Sequence, residues 1–241
     1  MKRLLSWLLL AALAWSCLPA LAQSNDDNDL DELQTQLTNE WRLVRFDRKR
    51  NIKTWMRQED GKRYRSFKVE AELNTSVEAV ARLMLDFANY DKWYWQVKES
   101  KLLKQVSPTE YLVYLVHRAP AGLPDRDAVL RGVVVPQNKG QKYVVVRISA
   151  EPDYLPEKPP LVRLPAQEMY TKFTPMGNGK VLMETEGYVD PGGKVPVWAA
   201  NFVQRSAPYT IVLAMQRQLQ SGEYDKGKRL PFPVYDLDYF P

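Results

Sequence analysis

The sequence predicts an α+β domain in which one long helix packs on a single curved antiparallel sheet. Three observations predict it. From Gln96 the chain has the rhythm of strands and hairpins, with candidates at Val97–Val106, Glu110–His117, Asp127–Pro136, Tyr143–Ala150, Gln167–Thr174 and Val181–Val189. A helical run follows from Val197 to Gln220. Tyr111 to Val116 is apolar at every position, so that strand needs cover on both faces or an internal surface that something else covers. One long helix against many strands disfavours a two-sheet sandwich.

In chain order, Met1-Lys2-Arg3, the apolar stretch Leu4–Trp15 and Ala20-Leu21-Ala22 have the layout of a secretory signal peptide. Cleavage is expected after Ala22, giving a soluble protein in a bacterial periplasm. The stretch is shorter than the ~20 apolar residues of a membrane span. Cys17, the single cysteine, falls inside the removed segment, so no disulfide is expected. A lipoprotein anchor at Cys17 is disfavoured because Trp15 stands where that cleavage rule wants a small residue. The formal charge falls from +5 to +3 as Lys2 and Arg3 leave. Residues 23–29 read as a disordered acidic segment.

Leu30, Leu33, Leu37, Trp41 and Val44 recur at spacings of three and four, predicting an amphipathic helix from Leu30 to Phe46. The stretch from Arg42 to Arg65 is strongly basic and reads as a solvated face. Attraction to anionic headgroups is its functional alternative, at ~1 kcal/mol per residue near a surface. Asn51–Gln58 and Ser66–Leu73 read as strands, the second with Phe67, Val69, Ala71 and Leu73 on one face. Thr75 and Glu78 form a capping box for a helix reaching Asp86. The aromatic cluster from Phe87 to Trp95 reads as a packed corner. Pro152 to Pro165 is a loop with a short strand near Val162. Pro208 predicts a kink or break in the final helix, whose apolar face includes Phe202, Val203, Ile211, Ala214 and Met215. The domain is set at residues 30–220 and a tail at 221–241.

The search for a catalytic constellation finds none. With His117 the sole histidine and no cysteine in the mature chain, a histidine-clustered metal site and thiolate chemistry are both excluded. No G-x-S-x-G elbow, Walker loop or G-x-G-x-x-G fingerprint occurs. Asp125-Arg126-Asp127 reads as a structural ion pair or cap. No cofactor, metal or nucleic acid is expected, and the protein is read as a monomer. The richest segment runs from Asp190 to Asn201. Gly192-Gly193 permit the positive φ of a reversal and Pro191 and Pro196 stiffen it, with apolar Val195 and Trp198 left lacking an evident core partner.

These landmarks carry a family resemblance: Asp86 to Trp93, Pro124-Asp125-Arg126-Asp127, Val162-Arg163, Phe173-Thr174-Pro175, and Asp190 to Pro196 with Trp198 and Asn201. In this order, with a final helix interrupted by Pro208, the chain from Trp41 to Leu219 resembles START domains, the lipid-transfer module named after the steroidogenic acute regulatory protein. The resemblance implies a helix-grip fold, a U-shaped antiparallel sheet wrapped around the C-terminal helix with an internal hydrophobic cavity for one lipid. It implies two gate loops that touch the membrane transiently, one with Ala119, Pro120, Leu123 and Pro124, the other with Lys194, Val195 and Pro196. Counting along a regular strand from Arg126 puts Val113, Leu115, His117, Ala128, Leu130 and Gly132 inward and Arg131 outward. Expected lipid contacts are therefore Val113, Leu115, His117, Ala128, Leu130 and Arg126, with Trp198, Phe202 and Met215 from the helix. The function implied is non-enzymatic binding and transfer or presentation of a lipid or other hydrophobic molecule. A helix-grip enzyme acting on an apolar substrate, and a lipid sensor docking a partner through its tail, are the alternatives.

Overall fold

The computed structural model of the protein describes residues 39–120 and 122–237. The expected signal peptide, acidic segment and first part of the Leu30–Phe46 helix lie outside them, as do Cys17 and Ala121. Strands β1 (Arg42–Asp47), β2 (Ile52–Arg57) and β3 (Ser66–Leu73) precede helix α1 (Val77–Leu85) and a 3-10 turn (Phe87–Lys92). Then come β4 (Val97–Ser107), β5 (Glu110–His117), β6 (Arg126–Val135), β7 (Val144–Ala150), β8 (Val162–Arg163), β9 (Ala166–Gly177) and β10 (Lys180–Asp190). Helix α2 (Val197–Gln220) follows.

All the strands belong to one sheet, ordered β1-β2-β3-β10-β9-β7-β6-β5-β4, with β8 alongside β6. The long path is antiparallel throughout, and β8 pairs in parallel. The curved sheet cups the two helices. Helix α2 buries Tyr209, Val212, Met215 and Leu219, a three-and-four spacing that makes one apolar stripe. Those residues join Val69, Ala71 and Leu73 of β3 and Val77, Val80 and Leu83 of α1 in one core.

Three expectations are corrected. Residues 42–46 form an edge strand, not the end of a helix. Leu43 and Phe46 stay exposed, and pairing with β2 supplies the backbone partners that their helical spacing does not. Helix α1 is capped by Ser76, whose hydroxyl accepts from the Ala79 amide at 3.1 Å, whereas the Thr75 hydroxyl is buried without a partner. Helix α2 runs unbroken through Pro208.

The doubly apolar β5 has cover on both sides. Tyr111, Val113 and Leu115 face the core, while Tyr114 and Val116 meet Val129, Leu155 and Leu161 outside. Arg163 pins that outer cover. It forms a paired bridge to Asp127 at 3.0 and 2.9 Å and donates to the Pro152, Leu155 and Pro156 carbonyls.

The segment after α2 is not a loose tail. Tyr224 is buried and donates to Asp86 at 2.9 Å. Gln137 exchanges two hydrogen bonds with the Tyr235 backbone, and Asp236 accepts from the Val77 amide at the start of α1. Phe232 is buried against the core.

Candidate functional site

Strands β5 and β6 pair without a register shift: Tyr111 opposite Gly132, Val113 opposite Leu130, Leu115 opposite Ala128, His117 opposite Arg126. A regular pleat sends alternate residues to one face, so Val113, Leu115, His117, Ala128, Leu130 and Gly132 share a face, and all but Ala128 line a cavity. Arg131 lies on the other face, bound by Glu110 and by Glu151.

Between sheet and helices lie two adjoining chambers. The lower is walled by Val113, Leu115, Leu130, Gly132 and Phe173, with Phe232 among its lining. The upper is the larger and takes its walls from β3, β9, β10 and α2. His117 and Arg126 line it with Ala119, Pro120, Leu123 and Val195. Tyr94 faces both chambers. Its hydroxyl accepts from Gln167 Nε2 at 3.1 Å and lies 3.6 Å from Met169 Sδ, so the ring stands as a fixed partition.

Four of the expected contacts fall elsewhere. Ala128 and Met215 are buried in the core and line neither chamber. Trp198 and Phe202 face outward, 56% and 53% exposed. On α2 the cavity-facing stripe is Ala199, Ala200, Val203, Ala207 and Ile211. Trp198 and Phe202, four apart, share a stripe of their own beside it.

The two loops beside the upper chamber are held by polar bonds. Arg126 Nη1 donates to the Pro124 carbonyl, and its Nε donates to the Pro191 carbonyl at 3.3 Å. Asp125 accepts from the Ala119 amide at 3.0 Å and from Lys98 at 2.6 Å, which holds its carboxyl below the usual range. Gly192 and Gly193 have φ of +66° and +62°, and the Asp190 carboxylate accepts from the Gly192 amide. A Cβ at Gly192 would meet the Arg163 carbonyl at 2.7 Å, so glycine is required there twice over. Pro124, Lys194 and Pro196 are exposed at the tips and do not line the cavity.

Within this greasy space a few polar groups stand out. His117 Nδ1 lies 2.8 Å from the Trp95 carbonyl. A carbonyl only accepts, so Nδ1 carries the proton and Nε2 presents a lone pair. That Nε2 is buried without a partner, and desolvation pushes the ring's pKa down, keeping it neutral. Arg65 also lines the upper chamber, only 6% exposed, with Nη2 buried and unpartnered. No Asp or Glu lines either chamber.

Arg65, Tyr64, Tyr94 and Gln167 are the site residues that sequence reasoning missed. Arg65 stood at the end of a basic run whose other members behave as a solvated face: Arg50, Lys53, Arg57 and Lys62 pair with Asp47, Glu70 and Glu59. The available signal was its place directly before an alternating strand.

Comparison with known proteins gives a consistent result. A family model described as START domain matches residues 21–221. The crystal structure of a STAR-related lipid transfer protein from Xanthomonas axonopodis is similar, with 28% identity and a TM-score of 0.67, over 75% of this chain and 98% of that one. An uncharacterized Pseudomonas aeruginosa protein is 26% identical over 180 residues, 75% of this chain and 87% of its own length. Human STARD10, at 21% identity and a TM-score of 0.66 over 86% of this chain and 84% of its own, shares the fold.

Proposed function

We propose, on the premise that the chain belongs to the START domain family, that it carries one lipid in the paired chambers and exchanges it at a membrane. The observation that supports this best is the cavity: a space with apolar walls, bordered at its mouth by two loops tied through one arginine. Each CH₂ moved from water to such a wall is favourable by ~0.8 kcal/mol, which lets the chamber compete with a bilayer.

Exchange at a membrane is supported by the surface around the mouth. Trp198 and Phe202 project outward on α2, with Pro124 and Pro196 exposed on the two loops. Lys194 and Arg205 are exposed beside them, a pairing of aromatics with cations that suits an interface with anionic headgroups. The proposal is of carriage without chemistry, in a bacterial periplasm.

The test is native mass spectrometry of the purified mature protein after incubation with vesicles of bacterial polar lipids. The expected result is a one-to-one complex with a lipid mass. A protein that stays empty after repeated exposure would overturn the reading.

A further inference from the structure

We propose that the upper chamber takes an acidic amphiphile: Arg65 and Arg126 hold a carboxylate or phosphate head at the mouth, and the apolar chain fills the space behind. This rests on the lipid-carrier reading and narrows its ligand class.

A buried guanidinium with a purely structural task is fully partnered in this protein. Arg163 is 4% exposed and saturated, with both Asp127 oxygens and three carbonyls as partners. Arg65 is buried to the same degree but makes no ion pair among the described residues, and its Nη2 has no acceptor. Burial, and after it the repulsion of the Arg205 cation, pushes its pKa down. An uncompensated buried charge is one of the costliest things a fold can keep. Arg126, 7% exposed, also lacks a carboxylate partner. Its Nε and Nη1 reach backbone carbonyls, and its Nη2 makes no hydrogen bond among the described residues. The Tyr64 hydroxyl, in the same lining, is buried without a partner.

Arg65, Tyr64 and Arg126 all belong to the lining of the upper chamber, and Tyr64 and Arg126 act on one another electrostatically. Arg65 directly precedes β3, whose Phe67 pairs with Gly187 as β10 runs toward the 190–196 loop. Arg126 opens β6 beside the other loop. The chamber therefore has donors and positive charge at its mouth, no acid on its walls, and apolar side chains behind. A neutral lipid leaves Arg65 as it is. An anion satisfies it with charge-assisted hydrogen bonds, which are about twice as strong as neutral ones.

The test uses delipidated protein and three vesicle preparations. One is phosphatidylcholine doped equally with oleate and oleyl alcohol, one is phosphatidylcholine doped with phosphatidylglycerol, and one is phosphatidylcholine alone. Bound lipid is read by native mass spectrometry. The wild type should prefer oleate over oleyl alcohol, or phosphatidylglycerol over phosphatidylcholine, by about tenfold, the effect of one added charged bond. The arm that shows the preference names the head as carboxylate or phosphate. Arg65→Met and, as a second variant, Arg65→Gln should bring the preference near parity while oleyl alcohol uptake persists. Arg65→Met should also raise the melting temperature of the empty protein, the opposite of what a structural arginine would give. Equal uptake of charged and neutral lipids by the wild type, or an unchanged preference in both variants, overturns the proposal while sparing the carrier reading. A protein empty in every arm overturns both.

Discussion

Arg126 reaches from the first residue of β6 to the carbonyl of Pro191, 3.3 Å away on the opposite loop, while another of its nitrogens holds Pro124 on its own side. One side chain thus ties both lips of the cavity. Hydrogen bonds from charged donors are worth about 1.5–3 kcal/mol. Arg126→Met should speed lipid exchange with vesicles severalfold and raise amide exchange in residues 118–124 and 190–196, leaving α1 and β3 protected. Unchanged exchange in both loops would show that the tie does not restrain them.

The depth of the lower chamber is open to a steric test. An added Cβ at Gly132 meets nothing within 4 Å, and its backbone is ordinary strand. Gly132→Leu should therefore fill empty space without strain, keeping or raising stability by up to about 1 kcal/mol. The longest acyl chain retained should shorten. Retention of the same chain lengths as the wild type would place the ligand in the upper chamber alone.

The outward stripe makes a different prediction. Trp198→Ser combined with Phe202→Ser removes two half-exposed rings that bury little, so stability should change by less than about 0.5 kcal/mol. Vesicle association, measured by flotation, should fall at least severalfold, with lipid capacity in detergent unaltered. Equal flotation would argue that the membrane-facing surface lies elsewhere.

His117 gives a pH signature. Its folded pKa lies below the ordinary value, so the unfolded chain binds the proton more readily than the folded one. Stability should then be complete above about pH 7 and decline as pH falls through about 6.5 toward the folded value. Burial sets this direction, and the Trp95 carbonyl bonded at Nδ1 opposes it in part; the Tyr94 ring and the Arg118 and Arg126 cations are the other groups that share its surroundings. His117→Asn should flatten the dependence of melting temperature on pH across that window. An equal slope in wild type and variant would assign the acid sensitivity to other groups.

The buried bridge between Asp127 and Arg163 can be probed by removing one partner and then both. Asp127→Ala leaves Arg163 buried and uncompensated, which should cost about 3–5 kcal/mol in urea unfolding. Asp127→Ala with Arg163→Met should recover much of that loss. A double variant no better than the single would mean that Arg163 matters chiefly through its three carbonyls on the 152–156 loop.

The elements that can be read in the sequence are those whose local signals and tertiary surroundings agree. The period-two pattern of β3 and the unbulged pairing of β5 with β6 made the inward wall countable from Arg126. The bounds of helix α2, Val197 and Gln220, were legible, but its continuity was not, since it runs on through a proline that locally favours a break. The reading failed where neighbours decide. Leu43 and Phe46 carry helical spacing, yet β2 offers an edge to pair with. Trp198 and Phe202 are large and apolar, but smaller Ala199, Ala200 and Val203 occupy the face turned inward, and size alone cannot tell which face that is. Arg65 could not be told from its solvated neighbours by composition, since its distinction is the lack of a partner in three dimensions.

The bond from the Val77 amide to Asp236 spans 159 positions of sequence, and Phe232 lies against the floor of the lower chamber nearby. The vessel therefore cannot be assembled piecemeal. Until the segment around residue 236 has been synthesised and has docked, α1 has an uncapped amide and the greasy walls stand open at their base. Contacts this distant in sequence form slowly. The nascent polypeptide must pass through an interval as a bottomless cup, exposed to whatever amphiphiles or aggregation partners surround it, and a chaperone or an early-bound lipid would be most useful during that interval.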